Sequence, residues 1–121
     1  MPRPEILIAG RSIANDTHLV EAISQIAEPV TQASPSGVEQ TLQRNPTLRL
    51  LLLEIDRNDF NVGLLRRLRR AFPHVQVVII DGSVDRNLLA EAFSLGVKDA
   101  FPKPLNLDLL IERVAVLMRE A

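Results

Sequence analysis

Five short apolar runs recur along the chain, and each is followed by a segment with helical periodicity. The runs predict β-strands at 5–9, 30–33, 48–55, 75–80 and 97–101. Apolar residues that recur every three or four positions predict helices at about 15–27, 37–44, 64–72, 85–95 and 107–118. Strict alternation of strand and helix predicts an α/β domain, with a parallel sheet covered by helices on both faces.

The third apolar run is the most pronounced. Leu50–Leu53 is a continuous row of leucines, followed by Glu54, Ile55 and Asp56. An unbroken apolar run is typical of a central strand that is buried on both faces. Ligands of open α/β sheets bind at the carboxyl ends of the strands, so Glu54 and Asp56 are candidates for a functional site.

Local signals mark several helix ends. Asn15 or Asp16 could cap the first helix, and Ser36 with Glu39 has the spacing of a capping box. Gly96 is expected at the C-terminal cap of the fourth helix. The residues of the fourth helix expected to face the core are Leu88, Leu89, Ala92, Phe93 and Leu95.

Composition narrows the function classes. The 121 residues form one expected domain, 1–121, with a net charge of −1 and no Cys, Trp or Tyr. No apolar run approaches the ~18 residues of a membrane helix, so a cytoplasmic location is expected. The four arginines at 66, 67, 69 and 70 are interpreted as a solvated helix face and not as a nucleic-acid interface. His18 and His74 have no acidic spacing around them that would indicate a metal site.

The C-terminal half carries a family resemblance. Val77–Ile80 is followed by a segment, 88–104, that contains the run A-F-S-L-G-V-K-D-A-F-P-K-P. In this run, and in the order of its elements over essentially the whole length, the chain resembles the receiver domain of two-component response regulators. The resemblance implies a three-layer, flavodoxin-like (CheY-like) fold with five parallel strands in the order 2-1-3-4-5. It also implies a cis peptide bond before Pro104.

The family's chemistry is phosphoryl transfer to an aspartate at the end of the third strand. A divalent metal held by an acidic pair, a lysine, a Ser/Thr switch and an aromatic switch complete the family's site. This chain departs from that pattern at every position except the lysine. The matching positions are Gly10 and Arg11 for the acidic pair, Glu54 for the phosphoacceptor, Asp81 and Ala100 for the switches, and Lys103 for the lysine.

These substitutions predict a different kind of site. A permanently charged guanidinium at Arg11 would repel Mg²⁺. We therefore expect no metal and no cofactor. In their place we expect a cluster of Arg11 and Lys103 against the carboxylates of Glu54 and Asp81, with Asp56 as a further member. Asp56 also stays open as an alternative phosphoacceptor.

The resemblance implies a degenerate receiver, or pseudo-receiver, that acts in signal transduction through protein contacts without enzymatic activity. Two alternatives remain: a phosphorylatable receiver that uses Asp56, and a sensor of small anions or nucleotides at the strand ends. In the family, the fourth helix, fifth strand and fifth helix carry contacts to a signalling partner, an output domain or a second copy. No direct nucleic-acid or membrane contact is expected. The matching positions are Arg86, Ala90, Glu91, Ser94, Lys98, Asp108, Glu112 and Arg113.

Overall fold

The computed structural model describes residues 3–55, 62–82 and 86–120. Its strands are β1 (Glu5–Ala9), β2 (Glu28–Gln32), β3 (Leu48–Ile55), β4 (Gln76–Asp81) and β5 (Asp99–Pro102). Its helices are α1 (Thr17–Ser24), α2 (Val38–Arg44), α3 (Val62–Ala71), α4 (Arg86–Ser94) and α5 (Leu107–Glu120). Short 3₁₀ turns, Ile13–Asn15 and Pro35–Gly37, precede α1 and α2.

The strands form a single parallel sheet in the order β2-β1-β3-β4-β5, as predicted. β3 is the central strand, and its leucines alternate between two cores because successive side chains of a strand point to opposite faces. Leu51 and Leu53 pack in the core that includes residues of α2, α3 and α4. Leu50 and Leu52 pack in the core that includes residues of α1 and α5. This double burial explains why β3 reads as a continuous apolar run.

Helix ends follow several of the sequence signals. The Asp16 carboxylate accepts a hydrogen bond from the Leu19 N–H at 3.2 Å, so Asp16 is the N-cap of α1. At the end of α4, Gly96 has φ +91° and donates its N–H to the carbonyl of Phe93 at 3.0 Å. Val97 donates to the carbonyl of Ala92 at 3.2 Å, which completes a Schellman cap. The cis peptide bond predicted between Lys103 and Pro104 is also present.

Three local predictions are wrong. The second strand begins at Glu28, two residues early, and contains Pro29, which an edge strand such as β2 tolerates because one side of the strand needs no ladder donor. The capping box does not form, because Gly37 is the N-cap of α2 and no side chain caps it. Phe93 does not face the core, since 48% of its surface is exposed.

The exposure of Phe93 has a geometric cause. Successive residues of an α-helix are about 100° apart around its axis. Ala92 is buried, so Phe93 is turned well away from the core direction. Within the described ranges, no helix has the length and apolar character needed to cross a membrane.

Candidate functional site

Side chains with opposite charges meet at the carboxyl edge of the sheet. Gly10 and Ser12 follow β1, Glu54 lies near the end of β3, Asp81 ends β4 and Lys103 follows β5. Because β1 pairs with β3, β3 with β4 and β4 with β5 in parallel, these strand ends are neighbours in space. The location is the one at which open α/β sheets bind ligands.

The Glu54 carboxylate is the centre of this site. Its Oε1 accepts hydrogen bonds from the backbone N–H groups of Ser12, at 2.9 Å, and Ile13, at 3.4 Å. Its Oε2 accepts from the Ser12 hydroxyl and forms an ion pair with the ammonium group of Lys103. Lys103 Nζ also donates to Ser12 Oγ at 2.9 Å, so the three side chains form a closed network. Only 8% of the Glu54 side chain is exposed.

The charge state of Glu54 follows from this network. Burial alone would raise the pKa of its carboxyl group. Hydrogen bonds from Lys103 and Ser12, together with the positive charge of Lys103, outweigh burial and hold the pKa below its ordinary value of 4.5. Glu54 is therefore a fixed anion at neutral pH, and Lys103 is its counterion.

Gly10 makes room for Glu54. A Cβ atom at position 10 would lie 2.4 Å from Glu54 Cβ and 2.5 Å from Glu54 Oε1, which no ordinary packing permits. The φ of Gly10, +148°, is also one that other residues rarely adopt. A carboxylate side chain at position 10, the family's metal ligand, and Glu54 in its observed conformation therefore exclude each other.

The donor set does not fit the metal that the family uses. Mg²⁺ requires near-octahedral oxygen ligands. Here position 10 has no side chain, and both oxygens of Glu54 accept from N–H, O–H or ammonium donors. Within the ranges that the structure describes, no group of three or more His, Asp or Glu side chains could hold a metal ion.

The predicted contact between Lys103 and Glu54 is present, whereas a contact between Arg11 and Glu54 is not among those of the described residues. Among the described residues, the donors to Glu54 are Ser12, Ile13 and Lys103, and Arg11 is exposed. The contact between Ser12 and Glu54 was not predicted. The neighbour of Ser12, Arg11, drew attention because it is charged, whereas the direction of a serine hydroxyl and amide depends on the path of the turn. Asp56 lies outside the described residues.

Asp81 and Ala100, the positions predicted to match the switches of receiver domains, border a common pocket. Asp81 is 5% exposed, and it lines a pocket of about 280 Å³ together with Ala100, Arg86, Leu89 and neighbouring residues of β5. Lys103 also contacts the backbone of this region, because its N–H donates to the Asp81 carbonyl at 3.2 Å. The pocket lies between β4, β5 and α4, beside the Glu54 network.

The candidate interface positions lie on α4, on α5 and on the segment before β5. Arg113 is half-buried and pairs with Asp99 at 3.0 Å, and the other positions are exposed. Those positions are Arg86, Ala90, Glu91 and Ser94 on α4, Lys98 before β5, and Asp108 and Glu112 on α5. Sequence reasoning missed two apolar residues on the same helices. Phe93 and Leu109 are the large apolar residues that are exposed in the described part of the chain, at 48% and 55%.

Proteins similar to this chain are found among solved structures. No protein-family profile matches the chain, and no curated protein sequence matches it significantly. Among solved structures, the signal receiver domain of an HD domain-containing protein from Pseudomonas fluorescens Pf-5 has a TM-score of 0.86 and 19% identity, covering 99% of this chain and 90% of that chain. A response regulator from Thermotoga maritima has a TM-score of 0.84 and 22% identity, covering 97% of this chain and 98% of that chain.

A pilus assembly-related protein from Burkholderia pseudomallei K96243 is also similar, with a TM-score of 0.75 and 16% identity, covering 93% of this chain and 87% of that chain. At these identities the similarity concerns the fold and not the chemistry of individual positions. With five parallel strands in the order 2-1-3-4-5 and helices on both faces, the chain has the flavodoxin-like fold of response-regulator receiver domains.

Proposed function

We propose that this chain is a receiver-like module of signal transduction that acts through protein contacts and is not switched by aspartyl phosphorylation. The observation that carries the proposal is the ion pair between Glu54 and Lys103. A carboxylate at the acceptor position engages the lysine that would otherwise face a phosphoryl group. The charge that phosphorylation would introduce is thus already present in part, as a permanent carboxylate.

A further feature supports this reading. Gly10 and Glu54 exclude a side-chain metal ligand at position 10. Phosphoryl transfer depends on positioned positive charge that neutralises the transferred group, and Mg²⁺ usually supplies much of it. With Lys103 engaged by Glu54 and no side chain at position 10, the described part of the site offers neither a free lysine nor a metal ligand at position 10 for such a transition state.

The same contacts weigh against the two alternatives. A phosphoryl group on Asp56 would need Lys103, and the Lys103 ammonium is bound by Glu54 and Ser12. An anion sensor at this edge would need the same ammonium group. Either ligand would have to displace a nearly buried carboxylate from its donors, which is unfavourable because that carboxylate would lose charge-assisted hydrogen bonds.

Amide chemical shifts test the proposal. The protein is titrated with beryllofluoride or acetyl phosphate in the presence of Mg²⁺, and the amides of Glu54, Asp81 and Lys103 are followed by NMR. We expect no saturable shift of these signals. Saturable shifts that disappear in Asp56→Ala would establish a working phosphoacceptor and overturn the proposal. Shifts without Mg²⁺ from a panel of anions, lost in Arg11→Ala, would favour the sensor.

For the contact surface, we propose the face formed by α4, β5 and α5. Phe93 and Leu109 add exposed apolar area to a surface whose other side chains carry both signs of charge. Leu109 is one turn before Arg113, whose pairing with Asp99 of β5 directs this side of α5 toward the strand. Apolar residues surrounded by charge are typical of protein interfaces, and mixed charge permits a two-fold contact between copies.

Sedimentation velocity of the wild type and of Phe93→Ser tests this surface. If two copies meet through this face, the wild type dimerises as its concentration rises, and Phe93→Ser weakens dimerisation by at least about tenfold. Arg66→Ser, on the exposed side of α3, is the matched control and leaves association unchanged. Equal association of Phe93→Ser and wild type would refute a dimer through α4. If the wild type is purely monomeric, the dimer is refuted and the partner at this face is a different protein.

A further inference from the structure

The pocket between α4 and β5 lies within the contact surface proposed above. It has a volume of about 280 Å³ and is open to solvent. Its lining residues are Arg86 and Leu89 of α4, Ala100, Phe101 and Pro102 of β5, and Asp81 at the end of β4, so the wall is mainly apolar. A cavity of about 150 Å³ with apolar walls is enough to hold a benzene ring. The pocket therefore has room for an aromatic side chain.

The small side chain of Ala100 leaves this space open. Ala100 is half-buried and packs against the core that includes residues of α2, α3 and α4. Leu89 lines the pocket from α4, is also half-buried, and packs against the same core. The two side chains do not close the space between the helix and the strand. Apolar surface thus stays accessible there, and covering it with an apolar group is favourable.

The exposed ring of Phe93 lies on the same side of α4 as this pocket. At about 100° per residue, Phe93 is about 20° from Arg86 and about 40° from Leu89 around the helix axis. At about 1.5 Å per residue, it is about 10 Å from Arg86 and about 6 Å from Leu89 along the axis. Because 48% of Phe93 is exposed, its ring is not held in the pocket of its own chain. One side of α4 therefore carries an apolar projection next to an apolar pocket.

A two-fold contact would bring the projection and the pocket together. In such a contact each pair of residues occurs twice, so the Phe93 of each copy would meet the pocket of the other. If the two α4 helices are antiparallel and position 86 faces position 93, the two-fold axis passes close to Ala90. Ala90 is exposed and small, so it lets two helices approach toward the short end of the usual 8–10 Å range. The Arg86 guanidinium would then lie against the incoming ring, a favourable cation–π contact.

We propose that the pocket between α4 and β5 binds the Phe93 side chain of a second copy of this chain, so that two reciprocal contacts hold a dimer together. The inference rests on the contact surface proposed above and names the group that occupies its pocket. A large aromatic side chain seated in a pocket is typical of the residues that contribute most to the affinity of an interface.

A side chain that fills the pocket from within its own chain tests the proposal. The leucine of Ala100→Leu occupies the space that Phe93 of the second copy needs. We expect sedimentation velocity to show association at least about tenfold weaker than in the wild type. Ala71→Leu is the matched control, because it makes the same change at an exposed position of α3 outside the pocket, and it should associate as the wild type does.

A mixture of Ala100→Leu and Phe93→Ser tests the reciprocity of the contact. The first variant keeps the ring but has a filled pocket, and the second keeps the open pocket but has no ring. In a mixed dimer, the ring of the first enters the pocket of the second, so one of the two contacts is restored. At the same total concentration, the mixture should associate at least about threefold more tightly than either variant alone.

Three outcomes would overturn the proposal. A wild type that stays monomeric refutes a second copy as the occupant. Association of Ala100→Leu equal to that of the wild type refutes the use of the pocket, and a loss in Phe93→Ser alone would then retain α4 as a contact surface. A mixture no tighter than its components refutes the reciprocal contact. None of these outcomes bears on the titration with beryllofluoride, which decides separately whether phosphorylation switches the chain.

Circular dichroism checks that the variants are folded. If Ala100→Leu is not folded, Ala100→Val replaces it with the same expected direction, because valine also extends into the pocket.

Discussion

Replacing Lys103 with methionine is the sharpest test of the Glu54 network. Methionine preserves much of the side chain's length and removes its charge. Among the described residues, Glu54, which is 8% exposed, would then keep its donors Ser12 and Ile13. Breaking a fully buried ion pair costs about 3–5 kcal/mol. The Lys103 side chain is 37% exposed, so we expect a smaller loss, about 1–3 kcal/mol of the free energy of unfolding at neutral pH.

The pH dependence gives this prediction its sign. In the wild type, the pKa of Glu54 is lowered, so its stabilising contribution is fully present above its ordinary pKa of 4.5 and is lost as pH falls through the folded value. Lys103→Met removes the hydrogen bond and the charge of Lys103, which both lower the pKa of Glu54, while burial remains, so the pKa of Glu54 should be higher than in the wild type. Protonation of Glu54 at low pH then stabilises the folded variant relative to its charged form. The difference in stability between wild type and Lys103→Met should therefore be largest near pH 7 and shrink toward pH 5.

Urea unfolding followed by far-ultraviolet circular dichroism measures both effects, since the chain has no Trp or Tyr for fluorescence. Lys98→Met is the matched control, because Lys98 is exposed and is the chain's other lysine. Combined with Glu54→Gln in a double-mutant cycle, Lys103→Met should show a coupling energy of at least about 1 kcal/mol. The reasoning fails if Lys103→Met is no more destabilising than Lys98→Met, or if its loss is the same at both pH values.

Two further substitutions test the packing around the site and the start of α1. Gly10→Ala should lower the free energy of unfolding by about 1–3 kcal/mol, because the new Cβ would clash with Glu54 and the backbone would be strained. Gly82→Ala is the control, because its Cβ would approach no atom of the described residues closer than 3.4 Å. It should lower the free energy of unfolding less in the same urea experiment, and an equal loss would refute the clash. Asp16→Ala should cost about 1 kcal/mol of stability by removing the acceptor for the Leu19 N–H, with unchanged stability contradicting the capping role.

Sequence patterns predicted the architecture because they record local constraints. The spacing of buried residues is two in strands and about 3.6 in helices, and it can be recognised from nearby residues alone. The caps at Asp16 and Gly96 are local signals of the same kind. The errors arose where local context was insufficient. Phe93 matched an apolar spacing but lies on the exposed side of α4, because the angular position of the core relative to α4 is set by the sheet beneath it.

By itself, the sequence determined the sheet, its strand order through the family resemblance, and the pairing of Lys103 with Glu54. Only the tertiary structure decided the rest of the site. Ser12 and Lys103, 91 positions apart, meet because parallel strands bring their carboxyl ends to one edge. Ser12 donates to Glu54 because the turn after β1 directs the hydroxyl and the amide of this residue toward the end of β3. Gly10 is required beside Glu54 because a Cβ atom at position 10 would lie 2.4 Å from Glu54 Cβ, a proximity that no one-dimensional pattern records.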